Sequence, residues 1–165
     1  KILPRPLPSA LHDLWVRVYH DRFHEEFARG VAAVRSGFPG QAVYHLDCHS
    51  MPSQATGAHK DAGSIRPEVV VSDVNGKSAS PQFMDRVFGA FQAEGFKTAK
   101  NWPYQGGRIT QRYGQPRLGH ETIQIELNRS LYMDEKIRQK SSGFGALQAR
   151  LVAVVQRIVD GISVD

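Results

Sequence analysis

Apolar residues recur three and four apart from Leu11, Leu14, Trp15 and Val18 to Phe27, Val31 and Val34, the spacing of one helical face. Ser9 stands where a capping oxygen would open such a helix, and Gly37 with Pro39-Gly40 would stop it. The period then changes. Residues 41–47, QAVYHLD, are short, partly β-branched and bounded by turn residues, which predicts a buried strand; residues 68–74, EVVVSDV, predict a second. Ser80-Pro81 opens a helix with Phe83, Met84, Val87, Phe88 and Phe91 on one stripe and Gly95 at its end. GFKTAKN at 95–101 reads as a third strand, and ETIQIELN at 121–128 alternates strictly, as a strand with two unlike faces does. Phe144, Leu147, Leu151, Val154, Val155 and Ile158 mark a last helix that closes the core. Helices alternating with short apolar strands predict an α/β fold, a mixed sheet flanked by helices. In such folds ligands bind beyond the carboxyl ends of strands, and Asp47, Cys48 and His49 fall at such an end.

Composition narrows the setting. A chain of 165 residues, 41% hydrophobic, can bury one core and reads as a single domain. The formal charge of +5, from 21 basic and 16 acidic residues, is scattered along the chain and suits a small anionic ligand. There is no Lys/Arg run, zinc-finger spacing or aromatic-basic pattern, which argues against nucleic acid. The single cysteine, Cys48, excludes an internal disulfide framework and favours a reducing, cytoplasmic setting. No apolar run has the length to cross a bilayer. The opening KILPRPLPS reads as an extended connector inside a longer protein.

Four groups of residues carry candidate chemistry. In residues 121–128, Ile123, Ile125 and Leu127 share one face while Gln124, Glu126 and Asn128 share the other. A carboxylate between two amides on a central strand implies a polar cavity; on an edge strand it implies a solvated face. His49 fits a metal ligand oriented by Asp47, a general base, or a buried histidine satisfied by the backbone. Alternation places Asp47 and His49 on one side and turns Cys48 away, which favours a buried structural thiol over a nucleophile. His20 and His24 stand at i and i+4, a zinc-competent spacing without the HExxH glutamate, and a charged helix face accounts for both equally well. His24 is the one expected to face inward. Arg108, Arg112, Arg117 and Arg129 gather around the glycine pair and the Glu126 strand, and Arg is shaped to grip a carboxylate through two parallel hydrogen bonds.

Three motifs in this order, DCHSMPS, YQGGRITQRYGQPRLG and HETIQIELNRSLYMDE, resemble the N-formylglutamate amidohydrolase family, as does the helix RPLPSALHDLWVRVYHDRFHEEF. The resemblance covers nearly the whole chain. It implies a fold like that of the zinc carboxypeptidases and aspartoacylase, phosphorylase/hydrolase-like, and hydrolysis of N-formyl-L-glutamate to formate and glutamate, as in histidine degradation; the alternatives are another N-acyl amino-acid amidohydrolase and a non-catalytic α/β domain that binds a small anion or a partner protein. It implies a Zn cofactor with His49 as the later of three protein ligands, Glu126 as general base, and Asp47 supporting His49. A metal held this way acidifies its water and polarises the scissile carbonyl. Beside these motifs, Arg129 and Arg108 are expected to meet the substrate carboxylates, with Thr110 and Asn128 as hydrogen-bond partners. The family segment that carries the first zinc ligands has no counterpart here, so the complete metal site is expected to need residues upstream of Lys1.

Overall fold

The computed structural model describes residues 5–162. The chain divides into two units, residues 1–43 and 44–165. The expected connector lies partly outside the described residues, at 1–4.

The first unit is helical. α1 (Ser9–Trp15) passes through a π-helical stretch, Val16–Asp21, into α2 (Arg22–Gly37). Pro8, not Ser9, holds the cap position, its carbonyl accepting from the amides of Leu11 and His12. Leu11, Phe27 and Val31 are half-buried, whereas Leu14, Trp15, Val18 and Val34 are exposed, against expectation. Two physical reasons act together. The π-turn widens the winding and shifts the apolar positions off one line. A lone helix also has no second layer within its unit on which to bury a stripe.

The second unit holds the sheet, in the order β1 (Val43–Met51), β4 (His120–Asn128), β2 (Val69–Ser72), β3 (Thr98–Lys100). β2 runs antiparallel to β4 and parallel to β3, so the sheet is mixed. α3 (Pro81–Ala93) and α5 (Phe144–Ile162) cover one face, and a short hairpin, β5 (Met133–Asp134) with β6 (Gln139–Lys140), precedes α5. Ser80 caps α3 as predicted: its Oγ accepts from the Phe83 amide at 3.2 Å and donates to Glu121 Oε2 at 2.7 Å. The core gathers Val69, Val71, Ile123 and Ile125 of the sheet with Phe83, Met84, Val87 and Phe91 of α3 and Leu147, Val154 and Ile158 of α5. Each such side chain taken fully out of water contributes about 1.5–3 kcal/mol. Val155, expected in this core, is exposed on the outer side of α5.

The register carries the alternation of β4 across the sheet. Val71 lies opposite Ile125 and Val69 opposite Leu127 on the core face, while Ser72 lies opposite Gln124 and Val70 opposite Glu126 on the other. β4 is therefore an interior strand whose polar face is buried, which decides for the polar-cavity reading over the solvated edge. β1 departs from expectation. It runs nine residues, beside an equally long β4, so Asp47, Cys48 and His49 lie within the strand instead of beyond its end. It is also only partly buried, with Tyr44, Cys48, His49 and Ser50 exposed, because it is an edge strand among the described residues; the expected buried strand and buried thiol are both corrected.

Candidate active site

Glu126 is the centre of the polar face. Only 5% of its surface is exposed, and Gln124 on the same face is 3% exposed. The Gln124 amide donates from Nε2 to Glu126 Oε1 at 2.9 Å. Its carbonyl oxygen accepts from the backbone N–H of Gly107 and lies 3.4 Å from the Thr110 hydroxyl. Gly107 is the N-cap of α4 (Arg108–Tyr113), and a Cβ built there would come 3.0 Å from that same oxygen. A glycine lets the backbone approach the amide this closely. Gln124 is thus held at both ends, by the glycine turn and by the carboxylate it serves.

Thr110, fully buried on α4, joins this network to β1: its hydroxyl lies 3.1 Å from Asp47 Oδ2. The other oxygen of Asp47 lies 3.0 Å from His49 Nε2. Alternation along β1 turns both side chains to one side, as the sequence suggested. Asp47, His49, Thr110, Gln124 and Glu126 therefore form a connected polar set drawn from β1, α4 and β4. His49 is 47% exposed at the side chain and Asp47 14%, so the set opens to solvent at the imidazole.

Burial raises the Glu126 carboxyl above the ordinary glutamate range. The His49 imidazole, the Gln124 hydrogen bond and the Arg66 guanidinium pull it back in part, and the Asp47 charge adds to the rise. A buried carboxylate kept close to a histidine and an amide donor is a setting in which acid–base catalysts work, because burial raises its affinity for a proton.

Arg66 and its partners carried no periodic signal. Arg66 precedes Pro67 and the VVV run of β2, and its side chain is buried: Nε and Nη2 each meet an Asp61 oxygen at 2.9 Å, and Nη1 donates to the Tyr104 hydroxyl at 2.7 Å. The guanidinium hydrogen bonds hold the Asp61 carboxyl below the usual carboxylate range. Only the chain's path brings residues 61, 66 and 104 together. An arginine three residues before the VVV run was the one available hint.

The remaining expected site residues are placed as follows. Arg129 Nε meets Glu135 Oε1 at 3.1 Å, and the same carboxylate accepts from the Ser53 amide at 3.0 Å. Burial pushes Glu135 up, but these hydrogen bonds outweigh it and leave the carboxyl low. The Asn128 amide is engaged by the chain, donating to the carbonyls of Arg66 and Pro67 and accepting from Ser130. Arg108 begins α4 next to Gly107, exposed and without an ion pair among the described residues. His20 and His24 belong to the first unit.

Zinc can be tested against this donor set. His49 has the arrangement that orients a metal-binding imidazole, with Nε2 against a carboxylate and Nδ1 left for coordination. The donor types fit zinc, but among the described residues no three His, Cys, Asp or Glu side chains stand where they could hold an ion together. No helix is long and apolar enough to cross a membrane among the described residues.

The N-formylglutamate deformylase of Pseudomonas putida is 32% identical over 126 residues, 76% of this chain, and that of Pseudomonas aeruginosa is 32% identical over 127. The matched stretch spans less than half the length of these curated relatives, 43% and 44%. The crystal structure of an N-formylglutamate amidohydrolase from Ralstonia eutropha superposes with a TM-score of 0.82 at 27% identity, covering 97% of this chain and 57% of that one. A gene product of Agrobacterium tumefaciens shares the fold, with a TM-score of 0.68 at 18% identity over 95% of this chain and 57% of that one. The model of the N-formylglutamate amidohydrolase family matches residues 1–133, which include β1, β2, α4 and β4, and the chain belongs to that family.

Proposed function

We propose that this chain carries the His49 and Glu126 half of a zinc-dependent active site that hydrolyses N-formyl-L-glutamate to formate and L-glutamate, the reaction type of histidine degradation, within a zinc-carboxypeptidase-like fold. The observation that carries the reading is the connected set Asp47–His49, Thr110, Gln124 and Glu126, with a buried, proton-avid carboxylate beside an oriented imidazole.

Bound zinc supplies an acidified water and polarises the formyl carbonyl. The chain's own residues do the rest. Glu126 takes the proton of the attacking water and returns it to the departing amine nitrogen, a task that its raised affinity for protons suits. Gln124 orients the Glu126 carboxylate from one side and is itself fixed by Gly107 and Thr110. Asp47 keeps the His49 ring in one orientation, and Thr110 keeps Asp47 in place. Among the expected substrate contacts, Arg108 is the better placed to receive a carboxylate, since no acidic partner among the described residues neutralises it, whereas Arg129 must share its charge with Glu135. Thr110 and Asn128, expected to touch substrate, serve in this reading by holding Asp47 and the start of β2. The setting is a cytoplasmic one.

Formate release from N-formyl-L-glutamate, measured with and without added zinc, tests the reading. Zinc-dependent release that Glu126→Gln abolishes supports it; a Glu126→Gln chain with undiminished turnover overturns the role of Glu126. The acetyl analogue, run in parallel, separates a deformylase from a broader N-acyl amidohydrolase.

A further inference from the structure

We infer that His20 and His24 form a second site for a divalent transition-metal ion, within the first unit and independent of the His49–Glu126 set. The two Nε2 atoms stand 3.1 Å apart, and the rings meet edge-on with centroids 4.4 Å apart. Two imidazole nitrogens each about 2.0–2.1 Å from one ion stand about 3.1 Å apart when they subtend about 100°, and about 3.3 Å at the tetrahedral angle. The gap in this helix is therefore the gap that a shared cation requires. In the metal-free helix one N–H···N hydrogen bond spans it, and an ion takes the place of that hydrogen.

The next carboxylate supports the same geometry. Asp21 Oδ1 lies 2.9 Å from His20 Nδ1. A carboxylate only accepts, so His20 carries its proton on Nδ1 and presents the Nε2 lone pair toward His24. That is the outer-shell arrangement that fixes the tautomer of metal-binding histidines. Both residues sit where the winding changes, His20 in the last turn of the π-helical stretch Val16–Asp21 and His24 in the first turn of α2. A break in the regular ladder there is a recurrent feature of helical sites.

The neighbouring charges set the ligand count. Glu25 and Glu26 are drawn to Arg22, at 3.5 and 3.2 Å, and Glu26 also to Arg29 at 2.9 Å. Both carboxylates are engaged by arginines, so the inferred site takes its two ligands from the imidazoles and water completes the shell. A two-imidazole, water-completed site suits Zn, Ni and Cu and excludes Ca and Mg, which require oxygen donors.

Zinc chloride titrated calorimetrically into the metal-free chain carrying His49→Ala tests the inference with no reference to turnover. The expected result is one binding step that survives His49→Ala and weakens at least 10-fold when His24→Gln is added. Asp21→Asn in the same background is expected to weaken binding by roughly 10-fold, the usual effect of losing an outer-shell partner. His20→Gln, at an exposed position, repeats the test if His24→Gln perturbs the helix, whose content is followed by far-UV circular dichroism. Absence of zinc binding in the His49→Ala chain, or binding unchanged by both histidine substitutions, overturns the site.

Discussion

The two faces of β4 differ more than any two neighbouring regions of this molecule. On one, Ile123 and Ile125 enter the core under α3 and α5 with no polar atom to satisfy. On the other, Gln124, Glu126 and Asn128 are as deeply buried, yet every one is bound to a partner. Burial of the first face is favourable by itself. Burial of the second costs free energy unless each polar atom is paired, and Glu126 shows the residue of that cost in its raised affinity for protons. One strand therefore stabilises the fold with its odd-numbered residues and sets up chemistry with its even-numbered ones, two residues apart.

Substitutions on the two faces should separate these roles. The largest effect is expected from Glu126→Gln: deformylation falls by roughly 100- to 10,000-fold, the range of a lost acid–base catalyst, while urea unfolding shows the fold retained. A Glu126→Gln variant that unfolds would show the polar face to be structural instead. On the core face, Ile125→Ala should lower unfolding free energy by about 2–5 kcal/mol, read from the urea midpoint. It should leave the zinc response of any remaining folded chain unchanged.

Gln124→Leu sharpens the comparison. It removes the donor at Glu126 and leaves Gly107 N–H and Thr110 with one acceptor fewer. A loss of about 1–3 kcal/mol of stability is expected, together with a further rise in the Glu126 pKa. The second readout, by NMR titration of the carboxyl carbon, would not move if Gln124 were only filling space.

The smallest effect is on the pH dependence of stability. Because the folded-state pKa of Glu126 is raised, its protonated form favours the native state. That contribution is complete below the free-glutamate value of about 4.3. It is lost as pH rises through the folded value. Glu135 works in the opposite sense: its lowered pKa contributes stability above the free value that is lost as pH falls. Unfolding curves collected from pH 3 to 8 for Glu126→Gln and Glu135→Gln should therefore deviate from the parent chain in opposite directions. Deviations of the same sign would refute the assignment.

Much of this was legible in the residues themselves. Alternation in ETIQIELN named the two faces of β4, Ser80-Pro81 named the start of α3, and the period of Leu147, Val154 and Ile158 named the closing helix. Periodicity succeeds where one local geometry repeats and one side meets a core. It failed for Leu14, Trp15, Val18 and Val34, whose helical spacing is sound but whose helix has no second layer within its unit, and for β1, whose continuation past Asp47 depends on the length of its neighbour β4.

The sequence by itself determined β2, α3, β4 and α5, the placing of Asp47 and His49 on one side of a strand, and the family, because these rest on spacing along the chain and on short ordered motifs. Only the tertiary structure decided that β4 is interior, that Thr110 links Asp47 to Gln124, and that Arg66 lies buried between Asp61 and Tyr104 within electrostatic reach of Glu126. Those partners are separated by up to 63 residues in the chain. No local pattern encodes such a meeting, since it follows from how the sheet is ordered and from the need of each buried polar atom for a partner.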